Sequence, residues 1–276
     1  MTTAEVSLET VGGRTLRVAH WRLDMESEHL PVLFFNGIGA NIEAVAPLAE
    51  ALDDRGFVMF DMPGVGGSPD PLVPYNTATM AWTTTLLLDR LKLEQVDVMG
   101  VSWGGAMAQH FALQHPKRTR RLVLCATSAG MIMVPGNVGA LSKMANPRRY
   151  VDAAFMEKHF RTLYGGALGE ASGGHIARLK PPSRRGYLYQ LLAMLGWTSA
   201  PALPFMKKPT LILMGDDDRI VPLANGKILD TLIPNSELHV LEGGGHLFLL
   251  SHADQSVSAI RAFLDAPEAE EMAQAA

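Results

Sequence analysis

The chain holds one cysteine, Cys125, among 276 residues. That excludes an internal disulfide framework and any multi-cysteine metal site, and it is compatible with a reducing compartment. No HExxH helix and no carboxylate cluster points to a metal, so neither a metal nor a cofactor is expected. There is no excess of positive charge: the formal net charge is −4, which argues against a nucleic-acid partner. Long hydrophobic runs are missing as well. The longest, around residues 122–134, contains Thr, Ser and Gly and stops at Pro135, too short to cross a bilayer. The first residues, Met1-Thr2-Thr3-Ala4-Glu5, carry neither a basic n-region nor an apolar h-region, so no secretory signal peptide is expected. Charged residues make up only 19% and hydrophobic ones 47%. A chain that apolar can bury enough surface to offset its ordering entropy, so disorder is excluded as a class.

What is present alternates. Short apolar runs at 31–35, 57–60, 96–99, 122–125, 210–214 and 238–241 read as strands. Segments 42–52, 77–93, 104–114, 223–232 and 253–264 have helical length and apolar spacing. Two further β-like runs, 6–8 and 15–18, flank the turn Gly12-Gly13. Strands alternating with helices imply βαβ units and a mostly parallel sheet, hence an α/β fold. The tail 267–276 is polar and alanine-rich and is expected to fray.

Between residues 131 and 208 the rhythm stops. This stretch holds Phe155, Phe160, Tyr164, Tyr187, Tyr189, Trp197 and Phe205. It reads as a helical cap inserted over the carboxyl edge of the sheet, with 1–130 and 209–266 forming the core. Its charge differs too. It has 11 lysines and arginines against 3 acidic residues, a balance of +8, which leaves −12 on the remainder. Such a basic cap could face an anionic surface, or its cations could simply solvate it and pair with the acidic core.

Gly100-Val101-Ser102-Trp103-Gly104 is a G-x-S-x-G run between an expected strand and an expected helix. A sharp strand-to-helix turn exposes the serine hydroxyl, and small flanking residues let the backbones approach. The bland alternative, a serine that happens to sit in a glycine-rich turn, does not require that context. Such a serine needs a base, and the base an orienting acid, in the chain order Ser, acid, His. In Gly215-Asp216-Asp217-Asp218-Arg219-Ile220-Val221-Pro222 the spacing to Gly215 and to Pro222 selects Asp218. Asp216 and Asp217 are the runners-up, with turn capping as their bland role. Gly243-Gly244-Gly245-His246 follows the next strand and places the base at His246. Two backbone N–H groups are needed for the oxyanion. Trp103 offers one, directly after Ser102, and Ile38 in the loop Asn36-Gly37-Ile38-Gly39-Ala40 the other. Asp61, before Pro63-Gly64, reads as a turn former and Cys125 as a small buried strand residue. Of the other histidines, His110 and His115 fall on the helix after the elbow, His239 in a strand and His252 on the final helix, while His20, His29, His159 and His175 have no adjacent motif.

Taken together, Phe35-Asn36-Gly37-Ile38-Gly39-Ala40-Asn41, Pro63-Gly64-Val65-Gly66-Gly67-Ser68 and Gly100-Val101-Ser102-Trp103-Gly104-Gly105 resemble the intracellular medium-chain-length poly(3-hydroxyalkanoate) depolymerases of the α/β-hydrolase superfamily. So do Met133-Val134-Pro135-Gly136, Pro147-Arg148-Arg149-Tyr150, Gly196-Trp197-Thr198-Ser199 and Gly245-His246-Leu247-Phe248-Leu249. The resemblance runs from about residue 30 to 264. One departure is Glu242-Gly243-Gly244-Gly245-His246, richer in glycine than the family's loop. The resemblance implies an α/β-hydrolase fold with an eight-stranded sheet and a serine hydrolase that cleaves stored aliphatic polyester in the cytoplasm, at the polymer granule. Asn36, Trp197 and Leu247 are then expected to line the substrate pocket. A soluble carboxylesterase or acyl-CoA thioesterase is the nearest alternative, since a basic cap could also hold CoA phosphates. A granule-coat or receptor protein without catalysis is the non-enzymatic one.

Overall fold

The computed structural model describes residues 4–144, 146, 148, 152–166 and 171–267. From residue 268 onward, the tail expected to fray lies outside the described residues. The two β-like runs pair as an antiparallel hairpin, β1 (Glu5–Val11) and β2 (Arg14–Trp21). Gly12 and Gly13 turn it with φ of 56° and 73°, the left-handed backbone that a two-residue hairpin demands. Six more strands follow: β3 (Val32–Phe35), β4 (Phe57–Phe60), β5 (Val96–Val101), β6 (Thr119–Cys125), β7 (Thr210–Gly215) and β8 (Ser236–Leu241). They join one eight-stranded sheet in the order β1-β2-β4-β3-β5-β6-β7-β8. The six are mutually parallel, and β2 runs antiparallel to β4.

The inner strands are continuous apolar runs because both of their faces are covered. Leu33 and Phe35, Val58 and Phe60, Leu122 and Leu124, and Ile212 and Met214 enter one apolar layer. Their neighbours Val32 and Phe34, Phe57 and Met59, Val123 and Cys125, and Leu211 and Leu213 enter the other. Strand residues alternate faces with a period of two, so each strand contributes to two cores. The first core packs beneath α2 (Thr77–Arg90) and α3 (Trp103–Gln114); the second packs beneath α1 (Ile42–Ala51). Each large apolar side chain removed from water in this way contributes about 1.5–3 kcal/mol.

Between β6 and β7 lie α4 (Val138–Met144), α5 (Ala153–Tyr164), α6 (Ala171–Arg178) and α7 (Arg184–Met194). Beyond β7 the described residues form α8 (Leu223–Leu232), the short α9 (Phe248–Ser251) and α10 (Ala253–Leu264), which also covers the second core. Pro147, Arg149 and Tyr150, part of one motif carrying the resemblance, fall outside the described residues. Among the described residues no helix is long and apolar enough to cross a membrane.

The strand order places the site. From β3 the chain steps to β4 on one side and then returns past β3 to β5 on the other. The carboxyl ends of β3 and β5 therefore diverge into loops on either side of one crevice, the usual ligand position in open α/β sheets. The loop 36–41 leaves β3 there, and Ser102 leaves β5.

Candidate active site

Ser102 links β5 directly to α3 with φ 55° and ψ −121°. This is a strained conformation for a residue with a β-carbon. Its surroundings hold it there. The Ser102 N–H donates to the Cys125 carbonyl at 2.9 Å, and the Ser102 carbonyl accepts from Gly105 N–H at 2.9 Å and from Thr127 Oγ1 at 2.7 Å. The flanking glycines are sterically required. A β-carbon on Gly100 would lie 2.2 Å from the Gly104 carbonyl oxygen, and one on Gly104 2.0 Å from that of Phe35. Trp103 opens α3, so its N–H belongs to the first helical turn, which has no intrahelical acceptor and attracts negative charge.

The facing loop is shaped by its own polar groups. Asn36 Oδ1 accepts from Gly37 N–H at 2.8 Å and its Nδ2 donates to the Asn41 carbonyl at 3.0 Å. Gly39, at φ 68°, lets the turn close from Gly37 to Ala40. Ile38 lies at its tip, in the wall of the same cavity as Ser102. Asp61 supports this loop from below. Buried, it accepts from the N–H groups of Ile42 and Gly67 and from Arg17. Burial raises its pKa against those bonds. Asp61 thus acts as a turn former, as its place before Pro63-Gly64 predicts.

Asp218 is the acid that meets the histidine. Its Oδ2 lies 2.7 Å from His246 Nδ1, and its Oδ1 accepts from the N–H groups of Ile220 and Val221 at 2.8 and 2.9 Å. Both side chains are almost fully buried. The two neighbours do something else. Asp216 accepts from Gly243 N–H at 2.7 Å and Asp217 from Gly166 N–H at 2.8 Å, so both brace loops. The glycine-rich departure before His246 has a packing cause. A β-carbon on Gly215 would sit 2.2 Å from the Gly244 carbonyl oxygen, and one on Gly245 would sit 2.5 Å from that of Tyr164. The loop can press against the end of β7 and the end of α5 only without side chains.

A cavity of about 100 Å³ is lined by Asn36, Ile38, Ser102, Tyr164, His246 and Leu247 among others. A second, lined by Ser102, Trp103, Met131, Met194, Trp197 and Ile220, meets the first at Ser102. Of the three expected pocket residues, Asn36 and Leu247 therefore face one cavity and Trp197 the other. Trp103 also lies in the second, with its indole N–H donating to the Gln190 carbonyl at 3.0 Å. Residues 160–190 supply contacts that no motif announced. The Tyr164 ring stacks parallel to His246 at 6.4 Å, and its carbonyl accepts from His246 N–H at 2.7 Å. Gln190 Oε1 accepts from Gly39 N–H at 2.9 Å. Cys125 is fully buried, which pushes its thiol pKa up and keeps it protonated.

This elbow, at a topological switch point and facing an Asp-supported histidine, is the arrangement of one fold class, and the family comparison agrees. Residues 31–253 match the model of the alpha/beta hydrolase fold, and the chain belongs to that family. Within it, the chain is 47% identical over 238 residues to the poly(3-hydroxyalkanoate) depolymerase of Ectopseudomonas oleovorans, covering 85% of this chain and 84% of that one. It is 30% identical over 271 residues to the 2-hydroxymuconate semialdehyde hydrolase of Pseudomonas putida, covering 91% and 94%. A crystal structure of a hydrolase from Pseudomonas aeruginosa PA01 superposes with a TM-score of 0.75 at 24% identity, over 95% of this chain and 99% of the other. At that identity the likeness is one of fold.

Proposed function

We propose that this chain hydrolyses the ester bonds of a medium-chain-length poly(3-hydroxyalkanoate) through an acyl-enzyme on Ser102. The observation that carries the reading is the buried Asp218–His246 pair, 2.7 Å apart, opening onto the cavity that holds the elbow serine. The 47% identity to a depolymerase supports the polymer as substrate. With Asp218 accepting the proton of Nδ1, the histidine presents a bare Nε2, the tautomer that can take the Ser102 proton. Ser102 Oγ attacks the ester carbonyl, and the N–H groups of Trp103 and Ile38 hold the oxyanion. His246 returns the proton to the departing alkoxide. Water then releases a 3-hydroxy acid or a short oligomer. Two largely apolar cavities meeting at Ser102 suit an ester with aliphatic groups on both sides, and residues 131–208 act as the cap that walls them.

The test is a substrate panel: polymer latex, short p-nitrophenyl esters and acyl-CoA, each with Ser102→Ala as control. Clearing of the latex, lost in the variant, is expected. Faster turnover of acyl-CoA or soluble esters with the latex untouched would transfer the assignment to a thioesterase or carboxylesterase. Failure of a fluorophosphonate probe to label Ser102 would favour a coat or receptor protein.

We further propose that the cap seats the enzyme on a polymer granule in the cytoplasm. On α7, Leu188, Leu191 and Leu192 are exposed and continue to the exposed Leu195. That spacing sets three leucines on one helical face, with Leu195 just past its end. Arg184 and Arg185, at the start of the same helix, are exposed as well. A basic end and an apolar stripe together fit an amphipathic surface carrying anionic groups. Leu191→Ser combined with Leu195→Ser is expected to weaken latex binding about tenfold or more and to leave short-ester turnover unchanged. The electrostatic share should fade with salt, since exposed charges are screened beyond about 8 Å at physiological ionic strength. Binding insensitive to both changes would rule this face out.

A further inference from the structure

Gln190, on α7, is fully buried. Its side chain makes one hydrogen bond among the described residues: Oε1 accepts from Gly39 N–H at 2.9 Å, across 151 positions of sequence. Its amide nitrogen, Nε2, is buried and has no partner among the described residues. A buried donor without an acceptor is costly, and an aliphatic side chain would fill the same space without that cost. The amide cannot turn round either, because Nε2 against Gly39 N–H would set two donors face to face. What the glutamine supplies is one acceptor, and the group that uses it lies beside Ile38.

The Ile38 N–H belongs to the peptide unit that joins Gly37 to Ile38, and glycines stand on both sides of Ile38. Each peptide unit is rigid and planar, so the direction of that N–H depends on how the neighbouring units are held. The unit before it is pinned within the loop, where Gly37 N–H donates to Asn36 Oδ1 at 2.8 Å. The unit itself is tied at its carbonyl, which accepts from Ala40 N–H at 3.1 Å. The unit after it carries the Gly39 N–H and is pinned from outside the loop, by Gln190. Gly39 stands at φ 68°, and a residue without a β-carbon has many other conformations open to it. Resting on the ester-hydrolase reading above, we propose that Gln190 is a positioning residue. Its Oε1 fixes the plane of the 38–39 peptide and so keeps the Ile38 N–H aimed at the developing oxyanion. Donors held in place beforehand stabilise that charge because nothing has to reorganise as it forms.

The Gln190 carbonyl also accepts from the Trp103 indole N–H, at 3.0 Å. That bond is made by the main chain, so a side-chain substitution leaves it in place and removes the hold on Gly39 alone. The experiment uses p-nitrophenyl octanoate and a trifluoromethyl ketone of matching chain, whose carbonyl takes up Ser102 Oγ as a tetrahedral adduct. Gln190→Met keeps the length of the side chain and removes the acceptor. It is expected to lower kcat about tenfold or more while KM stays within about twofold, the split that marks an interaction made only in the transition state. The ketone should lose affinity by the same factor as kcat/KM, because its adduct carries the oxyanion that the bound ester lacks. Gln190→Glu returns an oxygen at the same reach. It should regain most of the rate at the acidic end of the activity range, where burial keeps its carboxyl group protonated. The proposal is overturned if Gln190→Met keeps the parent kcat, if its loss falls on KM with the ketone bound as tightly as before, or if Gln190→Glu is no better than Gln190→Met. Should Gln190→Met fail to fold, Gln190→Asn keeps the amide, draws it back by one carbon from Gly39 and is expected to show the same split. The reading beneath the proposal fails separately: Ser102→Ala would then retain the parent's turnover, whatever stands at position 190.

Discussion

Replacing Ser102 by alanine is expected to lower kcat on a short p-nitrophenyl ester by about a millionfold, the scale set by loss of the nucleophile from a Ser-His-Asp unit. Alanine keeps the β-carbon, so the strained turn at φ 55° and its bonds to Cys125, Gly105 and Thr127 can persist. The melting temperature should therefore stay close to that of the parent. What goes is the hydroxyl at the junction of the two cavities. Some catalysis over water should remain, because the amides of Trp103 and Ile38 would still polarise the carbonyl. Turnover close to the parent rate, in protein free of contaminating esterase, would sink the acyl-enzyme mechanism.

Asp218→Asn carries the second large effect, about ten-thousandfold in kcat. The substitution is nearly isosteric. Its amide oxygen can still accept from Ile220 and Val221, as Oδ1 does now. Its NH2 would then face His246 Nδ1, where an acceptor stands at 2.7 Å. A donor there demands a lone pair on Nδ1 and moves the imidazole proton to Nε2, the nitrogen that has to take the serine proton. The fold survives while the tautomer is wrong. Asp216→Asn and Asp217→Asn are the controls and should cost no more than a few-fold, since these carboxylates brace the N–H groups of Gly243 and Gly166. Equal losses at all three positions would mean that the effect belongs to the loop and not to the acid.

The elements legible in the sequence are those whose signals are local. Two-faced apolar strands, the elbow glycines and the spacing that picks Asp218 out of three consecutive aspartates are all short-range patterns. Strand edges were less legible. β6 begins at Thr119 instead of Leu122, because Arg120 pairs with the buried Asp97 on β5 and extends the ladder through charged residues. The helix beginning at Trp103 instead of Gly104 reflects the same limit. Tyr164, His175 and Gln190 could not be found that way. Each reaches the site from a helix outside the motifs, and none carries a spacing that marks it. Their positions follow from how the helices between β6 and β7 settle on the sheet, which is set by tertiary packing. The glycine-rich loop before His246 lay between these cases: its departure was visible, and its cause needed the approach of Gly215 and Gly165.

Gln190 gives α7 two faces with different duties. Outward, the helix shows leucines to the surroundings; inward, through one side chain and one carbonyl, it grips Gly39 beside Ile38 and the indole of Trp103. Those are the two places from which we propose that the oxyanion is held. The floor of the reaction is therefore hung from the outer skin of the molecule. A force on the leucine stripe has a path of two hydrogen bonds to the two residues that flank the proposed oxyanion amides.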